Sequence, residues 1–353
     1  MEHVTQTEAS IERELSATFT SLMPAGWKTS STSEDQGFDK LFVVAAPDGA
    51  RIRFALDVKR TVAPRDVPRI AGQLRATTQR LRSPVELVVA APYLSELSRA
   101  ALEREGVGYI DATGNVLLRC DRPALYIKSS GALRDPNPSS DKLQSLKGTG
   151  TWRAVRALVD FRPPFGIREL AQRASVPLGT LSRTVDLLDR DGLIQRAERG
   201  PIERVDVNGV IRRWAQDYSV TGSNLVVSAL ASRGIPSFRQ QLLTLGSGYA
   251  ATGAFAAGQF APVAPTRLLA VYATDPARFA EQAGLREVDS GANVWLIEPS
   301  SDVVFDRTSA RDGLVCVAAT QLAADLLTGP GRDPAEGEEL LKWMEGNEDE
   351  WRA

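Results

Sequence analysis

The chain has 353 residues, is 43% hydrophobic and carries a formal net charge of -2. That supports two or three domains with cores of their own, and it excludes a global field drawing in nucleic acid, so any such site has to be a local patch. A single histidine, His3, excludes Ser-His-Asp and Cys-His catalysis and His-ligated metals, and no GxGxxG or GxxxxGK[ST] pattern supports nucleotide binding.

The first 36 residues read as a helix, "IERELSATFTSLM", followed by a Ser/Thr-rich loop. The acidic, amphipathic start has no apolar signal core. No apolar run reaches the roughly 18 residues of a membrane span, so a cytoplasmic, nucleoid-associated protein with no membrane partner is expected. Cys120 and Cys316 sit far apart in apolar, strand-like runs, which predicts buried thiols in a reducing compartment.

From Phe38 the pattern becomes α/β over residues 37–130. "KLFVVAAP" and "RIRFALDVK" predict two strands around the Asp48-Gly49 turn. "DVPRIAGQLRATTQRL" has helical spacing through Val67, Ile70, Leu74 and Leu81. "VELVVAAP" is a continuous apolar run, as in a strand buried on both faces. "SELSRAALEREG" predicts a helix, and "GYIDATGNVLLRC" with "ALYIKSS" two closing strands. Asp111 and Asn115 invite a functional reading, but a strand–turn–strand corner accounts for them.

Within the second strand, "ALDVKR" places Asp57 and Lys59 one pleat apart on one face, with Ile52, Phe54, Leu56 and Val58 on the other. An acid that holds Mg²⁺ and a lysine that orients the attacking water need this geometry. A second acid has to come from Asp39 or Asp48, and Gln73 on the next helix can add a contact. Only seven of the 42 basic residues are Lys, so Lys59 is a selective choice. The motif and the element order resemble the PD-(D/E)xK, restriction-endonuclease-like fold. That resemblance implies Asp57, Lys59 and Asp39 as catalytic residues and Asp57 and Asp39 as Mg²⁺ ligands. The "PD" dipeptide is absent, which leaves two further readings: a degenerate nuclease fold, or an ordinary surface pair.

Residues 131–149, rich in Ser, Pro, Asp and Gly, read as a linker. Residues 150–220 follow. "TWRAVRALVDF" predicts a helix with Trp152, Val155, Leu158 and Val159 on one side, and "FRPPFG" ends it. "IRELAQRASV" is a second helix, "PLG" a turn, "TLSRTVDLLDRDG" a third helix, and "LIQRAERGPIERVDV" a hairpin with "RGP" at its tip. This is the order of a winged helix-turn-helix. Leu181, Val185 and Leu188 must pack inward, so Ser182, Arg183, Asp186 and Arg190 point outward. Thr180, Ser182, Arg183, Thr184 and Arg190 are the expected DNA contacts of the helix, and Arg196, Arg199 and Arg204 those of the wing. Residues 150–215 hold 12 arginines against eight acids, a local net charge of +4. A winged helix used only for protein docking is the competing reading, and Asp186 and Asp189 favour it. The stretch "IRELAQRASVPLGTLSRTVDLLDRDGLIQR" resembles the winged helices of IclR- and MarR-type bacterial regulators.

The last piece, residues 221–353, returns to α/β patterning. "RLLAVYAT", "NVWLIEP", "DVVFDRT" and "LVCVAA" predict strands; "NLVVSALASRG", "DPARFAEQAG" and "ATQLAADLLTG" predict helices. The Gly/Ala-rich run from Leu242 to Pro265 suits close packing or a ligand pocket. A terminal acidic helix carries Leu340, Leu341, Trp343 and Met344, a face that closes the domain or pairs with another subunit.

"GVGYIDATGNVLL", "TGAFAA" and "AADLLTGPGRDPAEGEELLKWM" resemble a group of regulators linked to the AbiEi antitoxins of type IV toxin–antitoxin systems. The resemblance implies DNA binding, autoregulation and a nucleotidyltransferase-like toxin as protein partner. Those antitoxins carry the winged helix at the N-terminus, whereas here it lies mid-chain.

The expectation is thus a multidomain α/β protein: a restriction-endonuclease-like domain, a central winged helix and a C-terminal α/β domain. It acts as a homodimeric transcriptional regulator on double-stranded DNA, with no cofactor and no enzymatic activity. Mg²⁺ enters only under the nuclease alternative.

Overall fold

A computed structural model describes residues 8–32, 37–79, 84–137, 143, 145–197, 200–245, 248–260 and 267–353. The chain is mixed α/β and divides into two compact units, residues 1–141 with Arg190–Gly192, and residues 142–189 with 193–353. No helix among the described residues is long and apolar enough to cross a membrane.

The first unit runs α1 (Glu8–Ser21), β1 (Lys28–Thr32), β2 (Lys40–Ala45), β3 (Arg51–Val58), α2 (Val67–Thr78), β4 (Val85–Ala91), α3 (Glu96–Arg104), β5 (Gly108–Asp111), β6 (Val116–Cys120) and β7 (Leu125–Ser129). Its seven strands lie side by side in chain order. β1, β2 and β3 pair antiparallel, β3, β4 and β5 parallel, and β5, β6 and β7 antiparallel. Parallel neighbours need a crossover, and α2 and α3 supply the two that are required.

The alternation of each strand sends side chains to two separate cores. Ile11, Leu15 and Phe19 of α1 pack with Phe42, Val44, Phe54, Leu56, Val88 and Ala90 on one face. Phe19 stacks on Phe42 at 4.4 Å between ring centroids. Val67, Ile70 and Leu74 of α2 and Leu102 of α3 cover Val89, Ala91 and Tyr109 on the other. The continuous apolar run of β4 is accounted for, since alternate residues belong to different cores. Leu81 lies outside the described residues. The Ser/Thr-rich stretch expected as a loop contains β1, whose Thr29 and Ser31 pair with Val44 and Phe42. Polar residues, two of them β-branched threonines, suit an edge strand that β2 templates from one side.

The second unit begins with α4 (Thr149–Asp160), α5 (Ile167–Arg173), α6 (Leu178–Arg190), a hairpin of β8 (Ile194–Arg196) and β9 (Ile202–Val205), and α7 (Val207–Ala215). Trp152, Val155, Leu158 and Val159 are buried on α4, and Leu181, Val185 and Leu188 on α6. The turn before α6 is Ala174–Pro177 and not the expected "PLG". Pro177 stands ahead of the helix, and its carbonyl accepts the Thr180 and Leu181 amides, so Leu178 and Gly179 already belong to the first turn.

The rest is a second seven-stranded sheet. Its elements are β10 (Leu225–Leu230), α8 (Gly234–Leu245), β11 (Tyr249–Thr252), α9 (Gly253–Ala257), β12 (Leu269–Ala273), α10 (Pro276–Gln282), β13 (Arg286–Glu287), β14 (Val294–Glu298), β15 (Ser309–Arg311), β16 (Leu314–Cys316), α11 (Ala319–Leu327), α12 (Asp333–Gly346) and α13 (Glu348–Trp351). Strand order is β13-β10-β14-β12-β11-β16-β15.

Two expectations reverse here. "NLVVSALASRG" is not a helix: its apolar run is β10, paired on both sides by β13 and β14. "DVVFDRT" is not a strand but a 3-10 turn, Asp302–Phe305, capped by the Ser301 hydroxyl. Leu340, Leu341 and Met344 of α12 are buried within the unit, so that face closes the domain. Cys120 and Cys316 are free and buried, and burial pushes their thiols up to about 11 and about 12.

Candidate nucleic-acid interface and acidic cluster

Helix α6 presents one face to its own core and one outward. Arg183 is exposed, Ser182 and Thr180 are half-buried, and Leu178 at the start of the helix is 45% exposed. Neither Arg183 nor the exposed Arg204 on β9 has an ion-pair partner among the described residues.

Thr184 belongs elsewhere. It is fully buried, and its hydroxyl donates to the Thr180 carbonyl at 2.9 Å, so it is withdrawn from the set of DNA contacts. Helical spacing explains this, since Thr184 stands three residues after Leu181 on the inward stripe.

Arg196 has a different task from the one expected. From β8 it reaches Asp186 at 3.1 Å and Asp189 at 3.4 Å, the two acids of α6. The hairpin arginine therefore offsets the helix's negative charge. Arg190 is half-buried at the far end of α6. Arg199 lies outside the described residues.

The second cluster is at the end of the β2–β3 ladder. Lys40 pairs with Leu56, so continuing the antiparallel register sets Asp39 opposite Asp57 on one face of the sheet. The Asp39 carboxylate accepts the Val58 amide at 2.6 Å. Lys59 Nζ lies 2.8 Å from Asp57 Oδ1 and 2.7 Å from Oδ2. The Asp57 side chain is only 13% exposed and that of Lys59 37%, so the carboxylate is largely covered while the ammonium stays open to solvent. Burial raises the Asp57 carboxyl above its usual range, the Lys59 ammonium pulls it back, and the Asp39 charge raises it further.

Asp48 is remote from this cluster. It accepts the Ala50 amide in the turn at the opposite end of the ladder. Gln73 is exposed and accepts from Arg69 on the outer face of α2. The cluster is thus two carboxylates and one lysine. No group of three or more His, Cys, Asp or Glu suited to a metal occurs among the described residues. Mg²⁺ is held by one or two carboxylates with water and substrate phosphate completing its shell; Asp39 and Asp57 are the carboxylates this cluster could offer, and each already accepts from Val58 or Lys59.

Asp111 and Asn115 form a saturated corner. Asp111 accepts from the Leu94, Thr113 and Asn115 amides and from the Asn115 side chain. Asn115 Oδ1 accepts from Arg99 and the Gly131 amide. Every acceptor is occupied from within the chain, which is the pattern of a fold-fixing network.

Sequence reading missed two buried polar networks in the second unit. On α4, Arg156 pairs with Asp160 at 2.8 Å, and also donates to the Val303 and Asp306 carbonyls and to Gln321. Thr320 donates to the same Asp160. On α11, Asp325 is 2% exposed and accepts from Tyr218, Tyr272, Thr252 and Gln321. The available signal was a charged residue inside each apolar stripe, "AVRALVD" and "AADLL".

No protein-family model matches the chain, and no curated protein matches it. Among solved structures, EndoMS in its apo form is similar to it at 17% identity over 31% of this chain, with a TM-score of 0.21. The match spans about half of the EndoMS chain, 48%. A likeness at that TM-score does not assign a fold.

Proposed function

We propose that the protein binds double-stranded DNA in a sequence-specific way, with α6 as a recognition helix and the β8–β9 hairpin as a wing. One observation carries this reading: the first half of α6 offers Ser182 and Arg183 outward, Arg183 having no ion-pair partner among the described residues, while Arg196 offsets the acids further along. Base edges are read by side chains at the start of such a helix, and phosphates by arginines around it. In this reading Arg204 contacts phosphate, and a second copy of the chain supplies the other half-site. The protein is then a winged-helix regulator of the bacterial type, working at the nucleoid without a cofactor. The AbiEi-like residues add a toxin-type protein as a candidate partner. Arg183→Ala should weaken binding to a specific duplex by about 1–3 kcal/mol, measured by fluorescence anisotropy at fixed salt. Unchanged affinity would remove α6 from the interface.

A second reading is favoured by the Asp39–Asp57–Lys59 geometry. The first unit, with its strand–turn–strand–helix–strand order, is read as a restriction-endonuclease-like domain, active or degenerate. Under the active alternative, Asp39 and Asp57 would hold Mg²⁺, which would supply an activated water and charge stabilisation at the leaving oxygen. Lys59 would orient the attacking water. Duplex incubated with Mg²⁺ should then be cut, and Asp57→Ala and Lys59→Ala should each abolish cutting. Absence of cleavage by the wild-type chain on selected duplex, single-stranded and mismatched substrates would leave the fold without its chemistry.

A further inference from the structure

A cavity of about 380 Å³ opens in the second unit, near the small end of the usual ligand-pocket range of roughly 300–1,000 Å³. Thr252, Ala270 and Trp295 pair in register across β11, β12 and β14, so their side chains share one face of the sheet and form the floor. Small Ala270 between two larger neighbours keeps the space open. Asp325 of α11 borders the cavity, and Asp333 and Glu336 reach it from the first turn of α12.

The charges around this space do not balance internally. Among the described residues Asp325 is hydrogen-bonded only by neutral donors, and burial raises its carboxyl above the usual range. Asp333 and Glu336 form no ion pair among the described residues, and Glu336 Oε2 is buried without a hydrogen-bond partner. A favourable helix dipole explains why acids stand in the first turn of α12. It does not explain a buried carboxylate oxygen left unbonded, which is costly unless something supplies a donor. Nor does the dipole offset the surroundings of Asp333, since burial and the Glu336 charge push its carboxyl up to about 6. Arg267 and Arg332 also border the cavity; both are exposed, and neither forms an ion pair with Asp325, Asp333 or Glu336 among the described residues.

We propose that this cavity is a binding site for a small organic amine, its ammonium held by Asp333 and Glu336 and its apolar body against Trp295. An ammonium supplies the missing donors and offsets the acids' charge, while the apolar body is covered by the indole. The site is independent of the DNA-binding reading, and either can stand without the other.

The test is calorimetric titration of the full chain near neutral pH with phenethylamine, tryptamine and hexylamine, against phenethyl alcohol and 3-phenylpropionate as neutral and anionic counterparts. At least one amine should bind saturably, about tenfold or more tighter than the alcohol and the carboxylate. Glu336→Gln, which preserves shape, should weaken it about tenfold, and Ala270→Leu, which fills the space, should abolish it. Thermal unfolding of both variants checks that they are folded. Three results overturn the proposal: no saturable binding of any amine, equal binding of the alcohol or carboxylate, or unchanged amine binding in folded Glu336→Gln.

Discussion

Asp333 shows what the surroundings do to a single residue. Its carboxyl is raised to about 6 by burial and by the Glu336 charge. A carboxyl whose folded pKa exceeds its unfolded value stabilises the fold when protonated. That contribution is complete below about pH 4 and is lost as pH rises through about 6. Asp333→Asn should therefore raise stability at about pH 7.5 by ~1 kcal/mol, a figure reduced for the residue's partial exposure, and leave it nearly unchanged below about pH 4. Urea midpoints at the two pH values measure this; an equal gain at both would mean that charge is not the cause.

Legibility at this scale followed geometry. Asp57 and Lys59 could be placed on one face because a strand's period is two. That Asp39 and not Asp48 lies beside Asp57 depended on which end of the ladder each occupies, and the turn at Asp48-Gly49 already implied it. Thr184 was misread as a DNA contact, although the spacing that buries Leu181 buries it. The buried roles of Arg156 and Asp325 were not legible, because their partners come from distant segments that no local pattern connects.

Among elements, the errors fall where local signals are degenerate. β10 was expected as a helix because a short apolar run has no decisive period, and length and flanking turns have to arbitrate. Only pairing with β13 and β14 makes it a strand. The Asp302–Phe305 turn was mistaken in the opposite sense, its two valines outweighing the Ser301 cap. Long amphipathic segments such as α4 and α6 were read correctly to within two or three residues, since their stripes repeat over several turns.

The α4 network also makes a prediction at this scale. Arg156 and Asp160 are both buried and join α4 to the Asp302–Phe305 turn and α11. Removing one partner strands the other's charge. Arg156→Met should thus cost about 3–5 kcal/mol, with much of that recovered in Arg156→Met/Asp160→Leu. Denaturant unfolding of both variants checks it, and a single variant losing under about 1 kcal/mol would show that the pair is not structurally coupled.

At the scale of the whole molecule, helices α4–α7 and the C-terminal sheet belong to one compact unit. The recognition surface proposed for α6 is accordingly built into a larger body, with α4 fixed by buried polar bonds. The first unit contributes a separate sheet whose charged corner is the other candidate for chemistry. The α/β character of the chain was legible from its strand-like and helix-like patterns. The order of the second sheet was not, because its neighbours in space are mostly not neighbours in the chain.

Whether α6 reads base sequence can be measured directly. Duplexes selected by the full chain from a random library are compared with scrambled duplexes of equal composition, at one fixed salt concentration. The account predicts an enriched motif bound at least about 10³-fold more tightly than the scrambled control, with most of that ratio lost in Arg183→Ala. A ratio near one, identical in wild type and Arg183→Ala, would contradict it.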